Sequence, residues 1–329
     1  MSDELLIQVK DLVTQFKLDD GVLTAVDHVS FDIYKGETLG IVGESGCGKS
    51  VTAFSLLNLI APPGRIVSGE ILFEGDDILK RSKREMRMFR GGKVSMVFQE
   101  PMTSLNPVFT IGNQIDEVIK IHQRVKAKEA KERSIELLKL VNIPLPEQRY
   151  AEYPHQLSGG MRQRVMIAMA LACNPMLLIC DEPTTALDVT VQAQVLKLIN
   201  KLKKQMNMSI MLITHDLAVI SEIADRVIIM YAGQMVEEAE ERDIFTAPLH
   251  PYTEALLRSI PSVSKDSAND LYVIKGMVPN LLMKHSGCLF APRCDYARKK
   301  CYEIEPELRL CGSSKVRCHK YQDGWEACE

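Results

Sequence analysis

The stretch Gly43-Glu44-Ser45-Gly46-Cys47-Gly48-Lys49-Ser50 organises the chain. It fits the pattern G-x-x-x-x-G-K-[ST], and its flanks carry as much information as its letters. Upstream, Thr38-Leu39-Gly40-Ile41-Val42 is an apolar run that predicts a buried strand. Downstream, Val51 to Ile60 carries apolar residues at helical spacing. Between strand and helix, glycines let successive N–H groups face phosphate oxygens, and the helix N-terminus adds partial positive charge. Lys49 is placed to reach the β- and γ-phosphates and the Ser50 hydroxyl to hold Mg²⁺. With glycine near 7% of residues, chance supplies such a string in roughly 1% of chains this long. A glycine-rich turn with an incidental lysine would lack the flanking strand and helix, so the stretch points to a nucleotide.

Bulk properties bound the rest. A chain of 329 residues allows two or three domains and a substantial core. Hydrophobic residues are 46%, charged residues 25% and the net charge −3, so no global attraction to nucleic acid or acidic lipid is expected. The N-terminal MSDELLIQVK lacks a basic region followed by an apolar one, so no signal peptide is expected. No apolar run approaches the ~20 residues of a membrane span, so work at a membrane would need other chains to supply the spans. Of nine cysteines, six follow residue 287, a local site rather than a disulfide framework, and a reducing compartment is expected.

Residues 5–9 and 25–33 alternate polar and apolar and read as strands around a polar turn, Leu18-Asp19-Asp20-Gly21. Residues 69–75 predict another strand. Arg81 to Lys93 is basic and reads as a solvated helical face rather than a nucleic-acid patch. Val94 to Phe98 predicts a strand ending at Gln99, and a mostly helical section follows to about residue 157. Within it, residues 127–142 form an amphipathic helix stopped by Pro144. Then come a helix (161–173), a buried strand (Leu177 to Cys180), a helix (191–204), a strand (Ser209 to Ile213) and a β-rich segment (227–236). Strands alternating with helices argue for an α/β fold with a parallel sheet covered on both faces. Val263 to Asn269 is linker-like, which puts a domain boundary near residue 260.

Further motifs carry chemistry. Leu177-Leu178-Ile179-Cys180-Asp181-Glu182 is an apolar strand ending in two carboxylates. Asp181 is placed to help hold Mg²⁺, and Glu182 to orient or deprotonate an attacking water. Two acids can merely end a strand, but beside a phosphate loop that reading loses ground. Leu157-Ser158-Gly159-Gly160 precedes a helix and offers a second anion site, weak in isolation because Ser158 also fits an ordinary N-cap. Thr214-His215-Asp216 ends an apolar strand, placing His215 at the carboxyl edge where such sheets bind ligands. Gln99 has the same position on its own strand. Thr185-Ala186-Leu187-Asp188 follows the paired carboxylates.

In this order, from residue 5 to about 255, the motifs resemble the ATPase subunits of ABC transporters. The resemblance implies a P-loop ABC-type nucleotide-binding domain with antiparallel β and α-helical subdomains. It implies that Gly43, Ser45, Gly46, Cys47, Gly48, Lys49, Ser50 and Val51 surround the phosphates of ATP. It further implies that Ser50, Gln99 and Asp181 serve Mg²⁺, that Glu182 is the catalytic base, and that His215 senses the γ-phosphate. Gln99 would also couple to the membrane subunit. Family members work as head-to-tail dimers, so Ser158, Gly159 and Gly160 would serve the partner's ATP. Phe16 is the matching aromatic for stacking on adenine. One departure is Met161, where the signature often has glutamine (LSGGQ); methionine also occurs there among peptide importers of the family.

The tail narrows the match. After His250-Pro251-Tyr252-Thr253 and Ile260-Pro261, the cysteines run Cys288-x5-Cys294-x6-Cys301-x16-Cys318-His319. Thiols this dense suggest metal ligation. Zinc sites usually hold a pair two to four residues apart, which is missing here, while four thiolates at wider spacing also suit an iron–sulfur cluster. Spacing leaves zinc, a cluster and scattered structural cysteines open. The block GCLFAPRC…ARKKC…EPEL…VRCH resembles the C-terminal region of the D-type ATPase subunit of oligopeptide/dipeptide importers. That resemblance implies a 4Fe-4S cluster on Cys288, Cys294, Cys301 and Cys318, with His319 a neighbour, Cys311 and Cys328 outside the pattern, and Cys47, Cys173 and Cys180 merely packed.

The expectation is therefore an ATPase domain over residues 1–260, with a helical subdomain at about 101–160, and a small Cys-rich C-terminal domain over 261–329. Implied partners are a homologous second ATPase subunit in a heterodimer, two transmembrane permease subunits and an extracytoplasmic solute-binding protein. The implied place is peripheral, on the cytoplasmic face of the inner membrane. Two alternatives stand: the same machine importing nickel or another small solute, and a non-transport ABC ATPase acting on nucleic acid or ribosomes. A single phosphate loop and the absence of a heptad run speak against the second.

Overall fold

The computed structural model describes residues 4–99, 104–185, 187–260, 272–283 and 285–322. The start of the expected helical section (101–103), Ala186, the linker segment, Pro261 and Cys328 lie outside the described residues. The chain forms two compact units.

One unit comprises Met1–Ile7, Ile33–Thr38 and Phe73–Ile213. Val94–Val97, Leu177–Asp181 and Ser209–Thr214 run parallel in that spatial order. Leu177, Leu178, Ile179 and Cys180 have no exposed surface. Burial of each large apolar side chain is worth about 1.5–3 kcal/mol, which explains a continuous apolar run rather than alternation. The register sets Val97 opposite Cys180 and Asp181 opposite Ile213, so the three strands end at one edge. Lys83–Gly92 is a helix opened by a Ser82–Glu85 capping box, with Met86 and Phe89 buried and Lys83, Arg84 and Arg87 exposed. The helical section holds Ile111–Gln123, Ala127–Leu140 and Pro146–Tyr150. Buried Asp116 ties the three together, accepting from Ser134 Oγ at 2.6 Å, Tyr150 Oη at 2.9 Å and Lys120 Nζ at 3.3 Å. Burial and that carboxylate push the Tyr150 phenol up to about 12.

The other unit comprises Gln8–Asp32, Leu39–Leu72 and Thr214–Glu329. The expected strands at 5–9 and 25–33 are longer, Leu5–Leu18 and Gly21–Tyr34, joined at Asp19-Asp20, and Gly64–Phe73 lies on the far side of the first. Thr38–Val42 runs parallel to Arg226–Tyr231, which makes a hairpin with Gln234–Glu240. Beyond the composition break at residue 260 the chain returns to this sheet. Ser314–Val316 pairs with Gln234–Glu240, and Arg309–Cys311 with Ser314–Val316. The cysteine-rich segment thus groups with strands from the first part of the chain, through long-range pairing that composition does not encode. Among the described residues, no helix is long and apolar enough to cross a membrane.

Candidate functional site

The phosphate loop leaves the strand Thr38–Val42 and enters the helix Lys49–Leu56. Two glycines are required by their surroundings. A Cβ on Gly43 would lie 2.2 Å from the Met230 carbonyl oxygen. Gly48 has φ +101°, and a Cβ there would lie 2.3 Å from the Ala25 carbonyl oxygen. A Cβ on Gly46 would meet open space. The loop is pinned from behind by Gly233, whose amide donates to Cys47 O at 3.0 Å. Lys49 is buried and spans the loop, its Nζ donating to Gly43 O at 2.7 Å and Glu44 O at 3.0 Å. Cys47 is buried, and desolvation raises its thiol above the usual range although Lys49 opposes this, as expected of a packing residue. Ser50 and Val51 begin the helix behind the lysine. A loop with a cation, open ground at Gly46 and a helix N-terminus fits phosphate.

The carboxylate edge lies in the other unit. Val97 faces Cys180, so two residues further on Gln99 reaches Glu182. Gln99 Nε2 donates to Glu182 Oε2 at 2.9 Å, and Thr185 Oγ1 donates to the same oxygen at 2.9 Å. The Glu182 backbone has φ +44°, uncommon for a residue with a Cβ, and its amide donates to Ile213 O at 2.9 Å. Glu182 lies just past the strand, while Asp181, 3% exposed, is its last residue. One carboxylate is buried and one half-exposed.

In the same unit, Ser158 caps the helix Gly159–Leu171, accepting from Met161 N at 3.3 Å. Ser158 and Gly159 are exposed. A Cβ on Gly160 would lie 2.8 Å from Val191 Cγ1, so small residues let this helix approach Val189–Met206, itself capped by Asp188. His215 is exposed between buried Thr214 and the helix-capping Asp216. Phe16 is half-buried against Gly64, where a Cβ would lie 2.5 Å from its ring. It shares a strand face with Thr14, whose Oγ1 lies 2.9 Å from Ser55 Oγ on the helix after the phosphate loop.

Cys288, Cys294, Cys301 and Cys318 line one pocket, walled by His250, Phe290 and Tyr296, with His319 beside them. Burial pushes the Cys294 thiol up to about 11 and Cys318 up to about 12, and the charges of the neighbouring cysteines add to both. The four side chains thus share one lining. Among the described residues no three His, Cys, Asp or Glu converge tightly enough for a single ion. His319 is held by Ile304 O at 2.8 Å and Gln322 Oε1 at 3.0 Å, a structural neighbour. Cys311 lies on the strand Arg309–Cys311 outside this pocket.

Three contributors carry no sequence signal of their role. Thr185 serves Glu182, while Tyr252 and Arg293 both hold Glu44 of the phosphate loop. Arg293 stands next to Cys294, the one cue that could have drawn notice to it.

Comparison with known proteins agrees with this geometry. Residues 26–185 match the ABC transporter family, and residues 236–301 match the oligopeptide/dipeptide transporter C-terminal region. The dipeptide transport ATP-binding protein DppD of Haemophilus influenzae is 52% identical over 95% of this chain and 95% of that protein. The oligopeptide transport ATP-binding protein AppD of Bacillus subtilis is 53% identical over 97% of each. The dimeric ATP-binding cassette MJ0796, solved in a post-hydrolysis state with ADP and Pi, superposes with a TM-score of 0.65 at 28% identity. That match spans 72% of this chain and 99% of the cassette. CbiO1 of Clostridium perfringens gives a TM-score of 0.63 at 25% identity, over 74% of this chain and 92% of that one.

The fold is that of an ABC-type ATPase cassette. The chain belongs to the ATP-binding subunits of ABC transporters of the oligopeptide/dipeptide class.

Proposed function

We propose that this chain hydrolyses Mg-ATP to drive uptake of dipeptides or oligopeptides through separate transmembrane subunits. The observation that carries the hydrolytic part is the Glu182 carboxylate, just past the strand end and held by Gln99 and Thr185. The dipeptide and oligopeptide transport functions of relatives about half identical in sequence support the cargo.

We assign Lys49 and the loop amides from Gly43 to Ser50 to the phosphates, and Phe16 to the adenine. Ser50, Gln99 and Asp181 are the residues that would hold Mg²⁺. Glu182 takes the proton of the attacking water, and His215 contacts the γ-phosphate. The exposed Ser158 and Gly159, with half-buried Gly160, serve the ATP of a second, homologous ATPase subunit in a heterodimer. Two permease subunits and an extracytoplasmic binding protein complete the machine, which places this chain peripherally on the cytoplasmic face of the membrane. We take residues 1–260 as the ATPase domain and 261–329 as an extension that adds strands to its sheet. Cys288, Cys294, Cys301 and Cys318 would hold a 4Fe-4S cluster, which when bound supplies a cross-link among four chain segments.

Uptake by cells lacking this chain tests the reading, with labelled dipeptides, longer peptides and nickel offered in parallel. Loss of peptide uptake, restored by the intact chain but not by Lys49→Ala, is the expected result. Intact peptide uptake with loss of nickel uptake would move the cargo to metal and keep the ATPase.

A further inference from the structure

Glu44, the second residue of the phosphate loop, is gripped at its side chain and its backbone by residues some 200 or more positions away. Arg293 Nη1 donates to Glu44 Oε2 at 2.9 Å and Nη2 to Oε1 at 3.0 Å, a two-pronged pair. The Glu44 amide donates to Tyr252 Oη at 3.0 Å. The Arg293 side chain is only 5% exposed. Its Nε donates to Lys275 O at 3.0 Å, and its guanidinium lies 5.7 Å from the Tyr231 ring centre. Tyr231, Tyr252 and Phe290 pack together behind it, with ring centres 4.7–5.4 Å apart. The guanidinium thus has a single arrangement. Glu44 in turn offers its carbonyl oxygen to Lys49 Nζ at 3.0 Å, so a shift of Glu44 shifts an acceptor that orients the phosphate lysine.

Simple charge logic would forbid an acid at this place. A carboxylate beside a phosphate site repels the ligand unless its charge is matched, and a buried ion pair adds little net stability while it fixes position. The pair therefore makes sense as geometry. Arg293 also immediately precedes Cys294, so the backbone that shapes the thiol pocket carries the clamp.

We propose that Arg293 is a positioning residue for nucleotide binding, holding Glu44, and through it the phosphate loop, from the cysteine-bearing segment. The inference rests on Gly43–Ser50 being the phosphate site. It goes beyond that reading by placing a determinant of ATP affinity in the C-terminal extension.

The test is equilibrium binding of a fluorescent ATP analogue with Mg²⁺ to the full-length chain, with ATPase kinetics of the assembled transporter alongside. Arg293→Met is expected to weaken binding about tenfold, the scale of one lost charge-assisted pair, with KM rising and kcat changing much less. Glu44→Gln is expected to weaken binding about fivefold, whereas a carboxylate that merely repels phosphate would give tighter binding when neutralised. The double variant should bind no more weakly than Arg293→Met alone, because both changes remove one contact. Arg293→Lys keeps the charge without the fork and should recover part of the affinity. Unchanged or tighter binding in Glu44→Gln, or effects that multiply in the double variant, would overturn the proposal. Should Arg293→Met fail to fold, Glu44→Gln and Arg293→Lys decide the question without it. Lys49→Ala is the separate control: binding as strong as in the unaltered chain would instead discard the phosphate-site reading.

Discussion

Gln99 and Glu182, 83 positions apart, meet in a 2.9 Å hydrogen bond because two parallel strands end in register. The bond fixes the carboxylate that we propose as the base. Replacing Glu182 by Gln keeps shape and hydrogen bonding and removes the base. The expected outcome is ATP binding within a few-fold of normal and turnover lowered by about 10²–10⁴ at this chain's own site. Phosphate release from an assembly in which only this site can fire measures it, and full activity there would refute Glu182 as base.

Gly48→Ala places a Cβ 2.3 Å from Ala25 O at a residue with φ +101°. The left-handed conformation alone costs an L-residue roughly 1–2 kcal/mol, and the clash with backbone adds to it. Nucleotide binding should fall below detection while urea unfolding reports a loss of about 2 kcal/mol or more. Normal binding would mean that the loop has another accessible shape.

Asp116 is 5% exposed and accepts from three donors on three helices. Asp116→Ala leaves the buried Ser134 hydroxyl and the Tyr150 phenol without this acceptor, at a cost of about 2–4 kcal/mol. A shift in the urea midpoint without a change in slope would show this, and a shift worth under about 0.5 kcal/mol would remove the network's assigned role.

His122 has its pKa lowered from 6.5, by burial first and the nearby Arg87 second. The folded chain therefore resists a proton that the unfolded chain takes up near 6.5, so this residue costs stability as pH falls below that value. Stability measured from about pH 7.5 to 5.5 should decline less steeply in His122→Gln. An unaltered slope would show that another group sets the acid sensitivity.

Cys294 lines the thiol pocket with Cys288, Cys301 and Cys318. Chain purified without oxygen is expected to be brown and to contain iron and labile sulfide, and Cys294→Ser should bleach the visible absorbance. Zinc in equal proportion to the chain without iron would overturn the cluster.

The sequence by itself determined the strand–loop–helix around Gly43–Ser50, the apolar strand into Asp181-Glu182 and the capped helix after Ser158, because each rests on local rules. Glycine conformations, hydrophobic runs and helix caps act over a few residues, and their signals are read where they act. It likewise displayed the four cysteine positions. What only the tertiary structure decided was which of these distant pieces touch: Gln99 with Glu182, Arg293 with Glu44, Ser314–Val316 with Gln234–Glu240. Strand register and side-chain pairing between segments that far apart are set by packing of the whole chain, and no local propensity carries them.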